Sequence, residues 1–269
     1  MNIALCFSGQ VRDFSVTLRS LRKHILLPLR SHRLYLFCHT PAIGQSPHEF
    51  GLFFSAIHRE EAEPSSFLFL QDHSIRHDVE ARPWNQSDPL IGYVRQLRSI
   101  YLAHQLQQDF SQANNISFDL VFRLRFDNLY VQSLKSLSDL ESAALYVPAH
   151  DSWGGFNDRF AFGAPEVMDV YCNRFEYFQA YYEEGVFIHP ETLLAHHLAR
   201  HFVPVRRTRV VHHLYRHGTL NKAIFKLEEG DDPRFTPPQP GMRWRFQIKK
   251  RFGDQFYDNL SYLWWRYGL

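Results

Sequence analysis

The fold is decided by ten residues, Ile3-Ala4-Leu5-Cys6-Phe7-Ser8-Gly9-Gln10-Val11-Arg12. Their first part is an unbroken apolar run, which is typical of a strand buried on both faces of a sheet. Gly9 and Gln10 end the run, and apolar residues then recur at steps of three and four between Phe14 and Leu29, which predicts a helix. A second apolar run covers Leu34–Cys38. Strand, helix and strand in this order predict a βαβ unit with parallel strands.

The rest of the sequence continues this alternation of strands and helices. The predicted elements are a helix over about 49–59, a strand over 67–70, a loop over 76–88, a long helix over 90–110, strands over 118–124, 145–147 and 160–163, helices that begin near 164 and 189, and a closing strand over 203–213. A proline stands near the start of each of the last two helices, where a residue without an N–H group is well tolerated. We therefore predict an α/β fold, with an open and mostly parallel sheet flanked by helices.

Composition limits the functions that the chain can have. The sequence has 269 residues, of which 45% are hydrophobic, and a net charge of +2 from 30 basic and 28 acidic residues. This length favours a single domain, which we predict over residues 1–218. The near-neutral charge argues against nucleic acid as a partner. Residues 219–269 are a basic and aromatic extension, and two interpretations stay open for it: packing on the domain, or contact with a membrane surface.

The cysteines and the apolar segments bear on the compartment. The three cysteines are widely spaced and form no CxxC pair, which favours a reducing environment over a disulfide framework. The first residues do not resemble a signal peptide, and no apolar segment approaches the 18 or so residues of a membrane span. We therefore predict a cytoplasmic protein, with peripheral contact to the inner face of a membrane as the additional expectation for its C-terminal extension.

Polar residues follow three of the predicted strands, at the edge where an open parallel sheet binds its ligands. They are Ser8, Gly9, Gln10 and Arg12 after the first strand, His39 and Thr40 after the second, and Arg125 and Asp127 after the fourth. A turn of small residues lets backbone N–H groups approach a phosphate, and an arginine can hold an anion with two parallel hydrogen bonds. The alternative interpretation of the first group is a simple tight turn.

Three charged residues alternate along the end of the fourth strand. Because side chains two residues apart in a strand lie on one side, Arg123, Arg125 and Asp127 should face the same way. A carboxylate suits a divalent metal and guanidinium groups suit a diphosphate, so this arrangement can serve both ligands. The alternative is an ordinary cluster of ion pairs on a solvated edge.

Two further acidic residues are candidates for proton transfer. Asp158 follows the segment Trp153-Gly154-Gly155 and can bind hydroxyl groups or act as a general base, while Trp153 can stack on a sugar ring. The alternative for this segment is a glycine-rich hairpin with a solvated Asp–Arg pair. Glu191 lies in the first turn of a predicted helix, where a carboxylate is also favoured by the helix dipole alone.

These motifs, taken in order, resemble the bacterial and viral glycosyltransferase-like proteins of capsule and surface-polysaccharide loci. The resemblance runs from residue 1 to about residue 218, and four segments carry it: the opening ten residues, Leu36–Thr40, Phe118–Asp127 and Asn157–Gly163. It implies a GT-A-like fold and transfer of a sugar from a nucleotide-sugar donor to a glycan or glycolipid acceptor. A non-catalytic glycan-binding protein and a nucleotidyltransferase on a similar fold are the alternative functions.

The resemblance also implies roles for individual residues. Enzymes with a GT-A fold usually hold Mn²⁺ or Mg²⁺ on the donor diphosphate with an Asp-any-Asp motif, and here the matching residues are Arg125-Phe126-Asp127, so only the last acid is present. Asp127 is therefore the candidate metal ligand, and Asp158 and Glu191 are the candidate catalytic acids. The candidate donor-binding residues are Ser8, Gly9, Gln10, Arg12, His39, Arg123 and Arg125.

Overall fold

The protein contains two β-sheets. The computed structural model describes residues 1–41, 46–60, 89–134, 137, 140–216 and 218–221. The strands of the larger sheet are β1 (Asn2–Ser8), β2 (Arg33–Pro41), β3 (Ala56–Glu60), β4 (Leu120–Leu124), β6 (Leu145–Pro148), β7 (Ala161–Gly163) and β8 (Val205–Thr208). Within the described part they lie in the order β3-β2-β1-β4-β7-β6-β8. A smaller sheet contains β5 (Asn128–Tyr130), β9 (His212–Arg216) and β10 (Thr219–Asn221), in the order β10-β9-β5.

The larger sheet is mostly parallel, as the sequence predicts. The neighbouring strands β1, β2, β3 and β4 are parallel, with Ser8 opposite His39 and Phe7 opposite Leu124. Strand β7 runs antiparallel to both of its neighbours, β4 and β6, and β6 is parallel to β8. The chain builds β2 and β3 on one side of β1 and then crosses to β4 on the other side. The strand order therefore reverses between β1 and β4, which is the place where open sheets of this kind bind ligands.

Helices cover the sheet, and their bounds follow from local signals. They are α1 (Phe14–Leu21), which continues as a π-helical segment over Arg22–Leu26, a short 3-10 helix over Pro47–Phe50, α2 (Pro89–Asn114), α3 (Pro165–Asn173), α4 (Phe178–Glu183) and α5 (Pro190–Arg200). The prolines predicted to open two helices do stand at the first residue of α3 and α5. Helix α2 packs on β1, β2 and α3. None of the helices in the described ranges has the length and apolar character that a membrane crossing requires.

An aromatic cluster fixes the ends of β1 and β4. The ring of Phe126 stacks on Phe7 with centroids 5.2 Å apart and meets Phe14 edge to face at 4.9 Å. The carbonyl of Phe126 also accepts a hydrogen bond from the hydroxyl of Thr17 in α1. Since Phe126 stands between Arg125 and Asp127, its burial fixes the backbone that carries these two charged side chains.

All three cysteines are buried free thiols. Cys6 lies on β1, Cys38 on β2 and Cys172 on α3. Burial raises the pKa of the Cys6 and Cys38 thiols above the ordinary value, so both are neutral in the folded protein.

Two of the predicted elements are wrong. The helix predicted over about 49–59 ends after one turn, because Ser46 and Glu49 cap its start and Gly51 takes a left-handed conformation at its end; the chain then forms the strand β3. The closing strand predicted over 203–213 is two strands in different sheets, β8 beside β6 and β9 beside β5. The hydroxyl of Thr208 accepts the N–H of Val210 and so marks the break between them.

Some predictions fall beyond the residues that the structure describes. The predicted strand over 67–70 and loop over 76–88 lie outside them, as does the C-terminal extension from residue 222 onward. Strand β10, Thr219–Asn221, follows directly after the predicted boundary at 218, which stays a prediction.

Candidate functional site

One carboxylate and two guanidinium groups form an ion-pair network just beyond the end of β4. The Nε and Nη2 atoms of Arg125 donate to the two oxygens of Asp127, each at 2.7 Å. Arg216 at the end of β9 donates from Nε to Oδ2 of the same carboxylate at 2.8 Å. Burial alone would raise the pKa of Asp127, but Arg125 first and Arg216 second hold it well below its usual range. The side chain of Asp127 therefore stays ionised at neutral pH.

A third arginine lies in the connection between β1 and α1. Arg12 is half-buried, and after burial and Arg125 its charge also lowers the pKa of Arg216, so it acts electrostatically on the network. We name Arg12, Arg125, Arg216 and Asp127 the arginine cluster. Its three positive charges exceed its single negative charge by two. The structure thus pairs two of the predicted site residues, Arg125 and Asp127, and adds Arg216, which the sequence does not single out, while Arg12 acts on Arg216 through its charge.

The arginine cluster does not fit the divalent cation that the resemblance implies. Both oxygens of Asp127 accept hydrogen bonds from guanidinium groups, and a metal ion beside them would face two positive charges at close range. Within the described ranges, no three His, Cys, Asp or Glu side chains are grouped so that they could hold a metal. Mn²⁺ or Mg²⁺ on Asp127 stays a prediction from the resemblance, and we derive no chemical step through a metal.

A glutamine links the arginine cluster to the first candidate catalytic acid. Gln96 lies on α2, where its carbonyl oxygen accepts a hydrogen bond from Nη1 of Arg125 at 2.8 Å. Its amide group donates to Oδ2 of Asp158 at 2.5 Å. Both Asp127 and Asp158 are almost fully buried, so the link lies in the interior. No local pattern in the sequence marks Gln96, because nothing within a helix shows which residue will face a distant strand end.

The second candidate acid, Glu191, lies beside Asp158. Burial first and the neighbouring Asp158 second raise the pKa of Glu191 from its ordinary value of 4.5 to about 8. The Nδ1 atom of His189 is 3.1 Å from Oε2 of Glu191. At neutral pH Glu191 therefore carries a proton and can donate a hydrogen bond, while Asp158 accepts one from Gln96. A protonated acid beside a second carboxyl group that accepts a hydrogen bond is suited to general acid–base chemistry.

This assignment predicts how stability depends on pH. Between about pH 4.5 and 8 the folded protein keeps a proton on Glu191 that the unfolded chain has lost, so wild-type stability falls as pH rises through this window and levels off above it. In Glu191→Gln the decline should be absent, a difference of at most about 1.4 kcal/mol per pH unit. Urea unfolding at pH 5 and pH 8 measures it. The matched control is Glu166→Gln, at the same position of α3 but exposed, which should leave the decline in place.

The loop before Asp158 is strained and firmly held. Asp151 and Trp153 have φ angles of +50° and +39°, which non-glycine residues rarely adopt. Asp151 accepts a hydrogen bond from Arg159 at 2.8 Å, and the N–H of Phe156 donates to the carbonyl of Glu191 at 3.1 Å. The indole of Trp153 is nevertheless 59% exposed. Strain of this kind persists where the surrounding contacts enforce it, and it is frequent at ligand sites.

Gly155 packs directly against the start of α5. A Cβ atom on Gly155 would lie 1.9 Å from the backbone oxygen of Glu191, so Gly155→Ala must push the loop away from the helix. We expect a loss of about 3 kcal/mol in the free energy of unfolding. Gly92→Ala in α2 is the control, since its Cβ meets nothing and the change should stabilise the helix by about 0.5–1 kcal/mol. Chemical denaturation of both variants measures this, and equal stability of Gly155→Ala and wild type would contradict it.

Two other candidate residues, Gly9 after β1 and His39 on β2, meet at Ser99 of α2. The hydroxyl of Ser99 accepts the N–H of Gly9 at 2.9 Å and lies 2.9 Å from Nδ1 of His39. Burial first, then His58 and Arg98, lower the pKa of His39 to about 3, so the imidazole is neutral. His39 is almost fully buried, whereas Gln10 is exposed.

Ser8 and Arg123 lie deeper than the arginine cluster. The buried hydroxyl of Ser8 makes no hydrogen bond in the described part of the chain. Arg123 is buried between the sheet and the helices and donates from Nη1 to the backbone oxygen of Arg159. The donor-binding roles of these residues, and of Gly9, Gln10 and His39, stay predictions.

A model of the family DUF7796, a domain of unknown function, matches residues 1–212. The chain belongs to this family. The DUF7796 match includes both strand ends of the site, Gln96, Asp158 and Glu191, whereas Arg216 lies four residues beyond its last residue. No curated protein matches the sequence.

Proposed function

We propose that the protein is a glycosyltransferase with a GT-A-like fold that moves a sugar from a nucleotide-sugar donor to a glycan acceptor. The observation that carries the proposal is the arginine cluster, which lies at the reversal of strand order between β1 and β4 and is joined through Gln96 to the buried acid Asp158. An anion-binding group next to a proton-accepting group is what transfer from a diphosphate leaving group requires.

The arginine cluster supplies the donor half of the site. Its excess of two positive charges suits a diphosphate. When the bond between the anomeric carbon and the diphosphate oxygen breaks, negative charge develops on that oxygen. Asp127 holds Arg125 and Arg216 in place before the reaction, and these two arginines, together with Arg12, stabilise this charge.

Asp158 and Glu191 supply the acceptor half. Asp158 takes the proton of the acceptor hydroxyl as its oxygen attacks the anomeric carbon, while protonated Glu191 donates a hydrogen bond that orients a neighbouring oxygen. The exposed Trp153 on the strained loop offers an apolar face for the acceptor ring.

The arrangement favours this function over its two alternatives. A nucleotidyltransferase that uses two metals needs a second carboxylate beside Asp127, whereas the side chains that contact Asp127 in the described residues are guanidinium groups. A protein that only binds neutral glycans has no use for an excess of cations at a sheet edge.

Thermal denaturation with nucleotide sugars tests the proposal. We expect a nucleotide sugar of the right base to raise the melting temperature by roughly 5–10 °C at about 100 times its Kd. The shift should be equal in EDTA and in Mn²⁺, because the arginine cluster replaces a metal. A shift that requires Mn²⁺ would contradict the role of the arginines, and no shift with uridine, guanosine, cytidine, adenosine or thymidine diphospho- and monophosphosugars would contradict the proposed function.

A further inference from the structure

The outer face of α1 and the connection from α1 to β2 carry cations but no acids. From Phe14 to His48 the sequence contains five Lys or Arg residues and no Asp or Glu. Each of the five is exposed, whereas the whole chain is close to balanced, with 30 basic and 28 acidic residues. Positive charge is therefore concentrated on this surface. The five cations are Arg19, Arg22, Lys23, Arg30 and Arg33.

These cations have no carboxylate partner in the described residues. Every ion pair there involves other side chains. Of the five, Arg22 donates to the backbone oxygen of Phe50 at 3.3 Å. By contrast, the exposed Arg200 on α5 pairs with Glu184. A group of unpaired cations on one surface is suited to an anionic partner.

Apolar side chains are exposed among these cations. Val16 is 44% exposed and Leu27 is 52% exposed, and both lie on the outer side of a helical segment whose inner side is buried in the core. Phe53 is 94% exposed and stands three residues after Phe50, which Arg22 contacts. A single exposed apolar side chain is ordinary, but several of them among unpaired cations mark an interaction surface. We name Val16, Leu27, Phe53 and the five cations the basic face.

The combination of charge and apolar side chains indicates the kind of partner. An anionic lipid surface attracts Lys and Arg, and its interfacial layer takes up apolar side chains that project from the same face. A nucleic acid would neutralise the cations through its phosphates, but it offers no apolar layer for Val16 and Leu27. Both properties of the basic face are therefore used only at a membrane surface.

We propose that the basic face binds the anionic surface of a lipid bilayer. The inference does not depend on the proposed function, because it uses none of the contacts of the arginine cluster. It also concerns a different part of the chain from the C-terminal extension, for which membrane contact stays a prediction.

Vesicle sedimentation with the full chain tests the inference. The wild-type protein should bind vesicles made of equal parts of phosphatidylcholine and phosphatidylglycerol at least about tenfold tighter than vesicles of pure phosphatidylcholine, and added salt should weaken this binding. In Arg19→Gln/Lys23→Gln/Arg30→Gln the affinity for the anionic vesicles should fall about 100-fold, or about fivefold for each cation. In Leu27→Ser/Phe53→Ser it should fall about tenfold, because apolar burial is lost.

Matched controls separate the basic face from charge and hydrophobicity in general. Arg200→Gln/Arg206→Gln/Arg209→Gln makes the same change in net charge on and beside α5 and β8, and Phe202→Ser removes a phenylalanine that is 91% exposed. Both controls should stay within about threefold of wild-type binding, and melting temperatures check that all variants fold.

Three results would overturn the inference. They are wild-type binding that is equal for both kinds of vesicle or absent from both, an equal loss in the basic-face variants and their controls, and tighter binding to a duplex DNA oligonucleotide than to the anionic vesicles. No nucleotide sugar enters the assay, so each of these results leaves the proposed function intact.

Discussion

Arg125→Met should lower kcat/KM for sugar transfer by about 10²–10³. Arg125 is the most connected side chain of the arginine cluster, since it holds both oxygens of Asp127 and the carbonyl of Gln96. Methionine keeps the apolar stem but provides no charge for the diphosphate leaving group. Initial rates with the donor found by thermal denaturation measure the effect, and Asp127 keeps Arg216 as a partner in the variant.

The choice of variant matters for this test. Asp127→Ala would leave Arg125 and Arg216 without their carboxylate, so lost activity and lost stability could not be separated. Arg200→Met, at an exposed ion pair on α5, is the matched control and should retain wild-type rates. Rates within threefold of wild type in a folded Arg125→Met protein would show that this arginine does not stabilise the leaving group.

Asp158→Asn should lower kcat by about 10²–10⁴ with little change in donor binding. Asparagine can still accept the hydrogen bond from Gln96, so the geometry of the link to Arg125 is kept while the proton acceptor is lost. Glu191→Gln should cost far less, because glutamine reproduces a side chain that is already neutral at pH 7. Steady-state rates and donor titrations on the same preparations measure both effects.

The pH profile distinguishes catalysis from a structural role. In wild type, ionisation of Glu191 near pH 8 adds a second negative charge beside Asp158, so kcat should change in that range, and the change should be missing in Glu191→Gln. A parallel fall of donor affinity and kcat in Asp158→Asn would indicate that Asp158 positions the donor rather than accepting a proton.

The sequence predicts the strand ends of the site well because their placement follows from local pattern. Apolar runs give β1 and β4, and the parallel sheet brings their carboxyl ends together. Arg125 and Asp127 pair there, and the charge of Arg12 acts on Arg216. The strand β3 is not predicted, because the spacing of apolar residues after residue 49 looks helical beyond Gly51. In the structure the helix ends at Gly51.

The residues that complete the site could not be predicted, because they come from elements whose placement depends on tertiary packing. Gln96 is one polar residue among many on the long helix α2, and only its packing on β1 and β2 selects it. Arg216 stands at the end of β9, which the sequence assigned to the wrong sheet. Beyond the site, Arg174 lies at the end of α3, where an arginine is ordinarily exposed to solvent, yet it is buried.

Because every cysteine is buried, the rate at which each thiol is modified reports local opening of the structure around it. Cys6, Cys38 and Cys172 report on the first strand, the second strand and the third helix, respectively. A maleimide can react with each one only when that element opens, so mapping the modified peptides over time yields separate opening free energies for three parts of the scaffold. The same reaction in the presence of a bound donor would reveal which of these three elements opens less often when the ligand is bound.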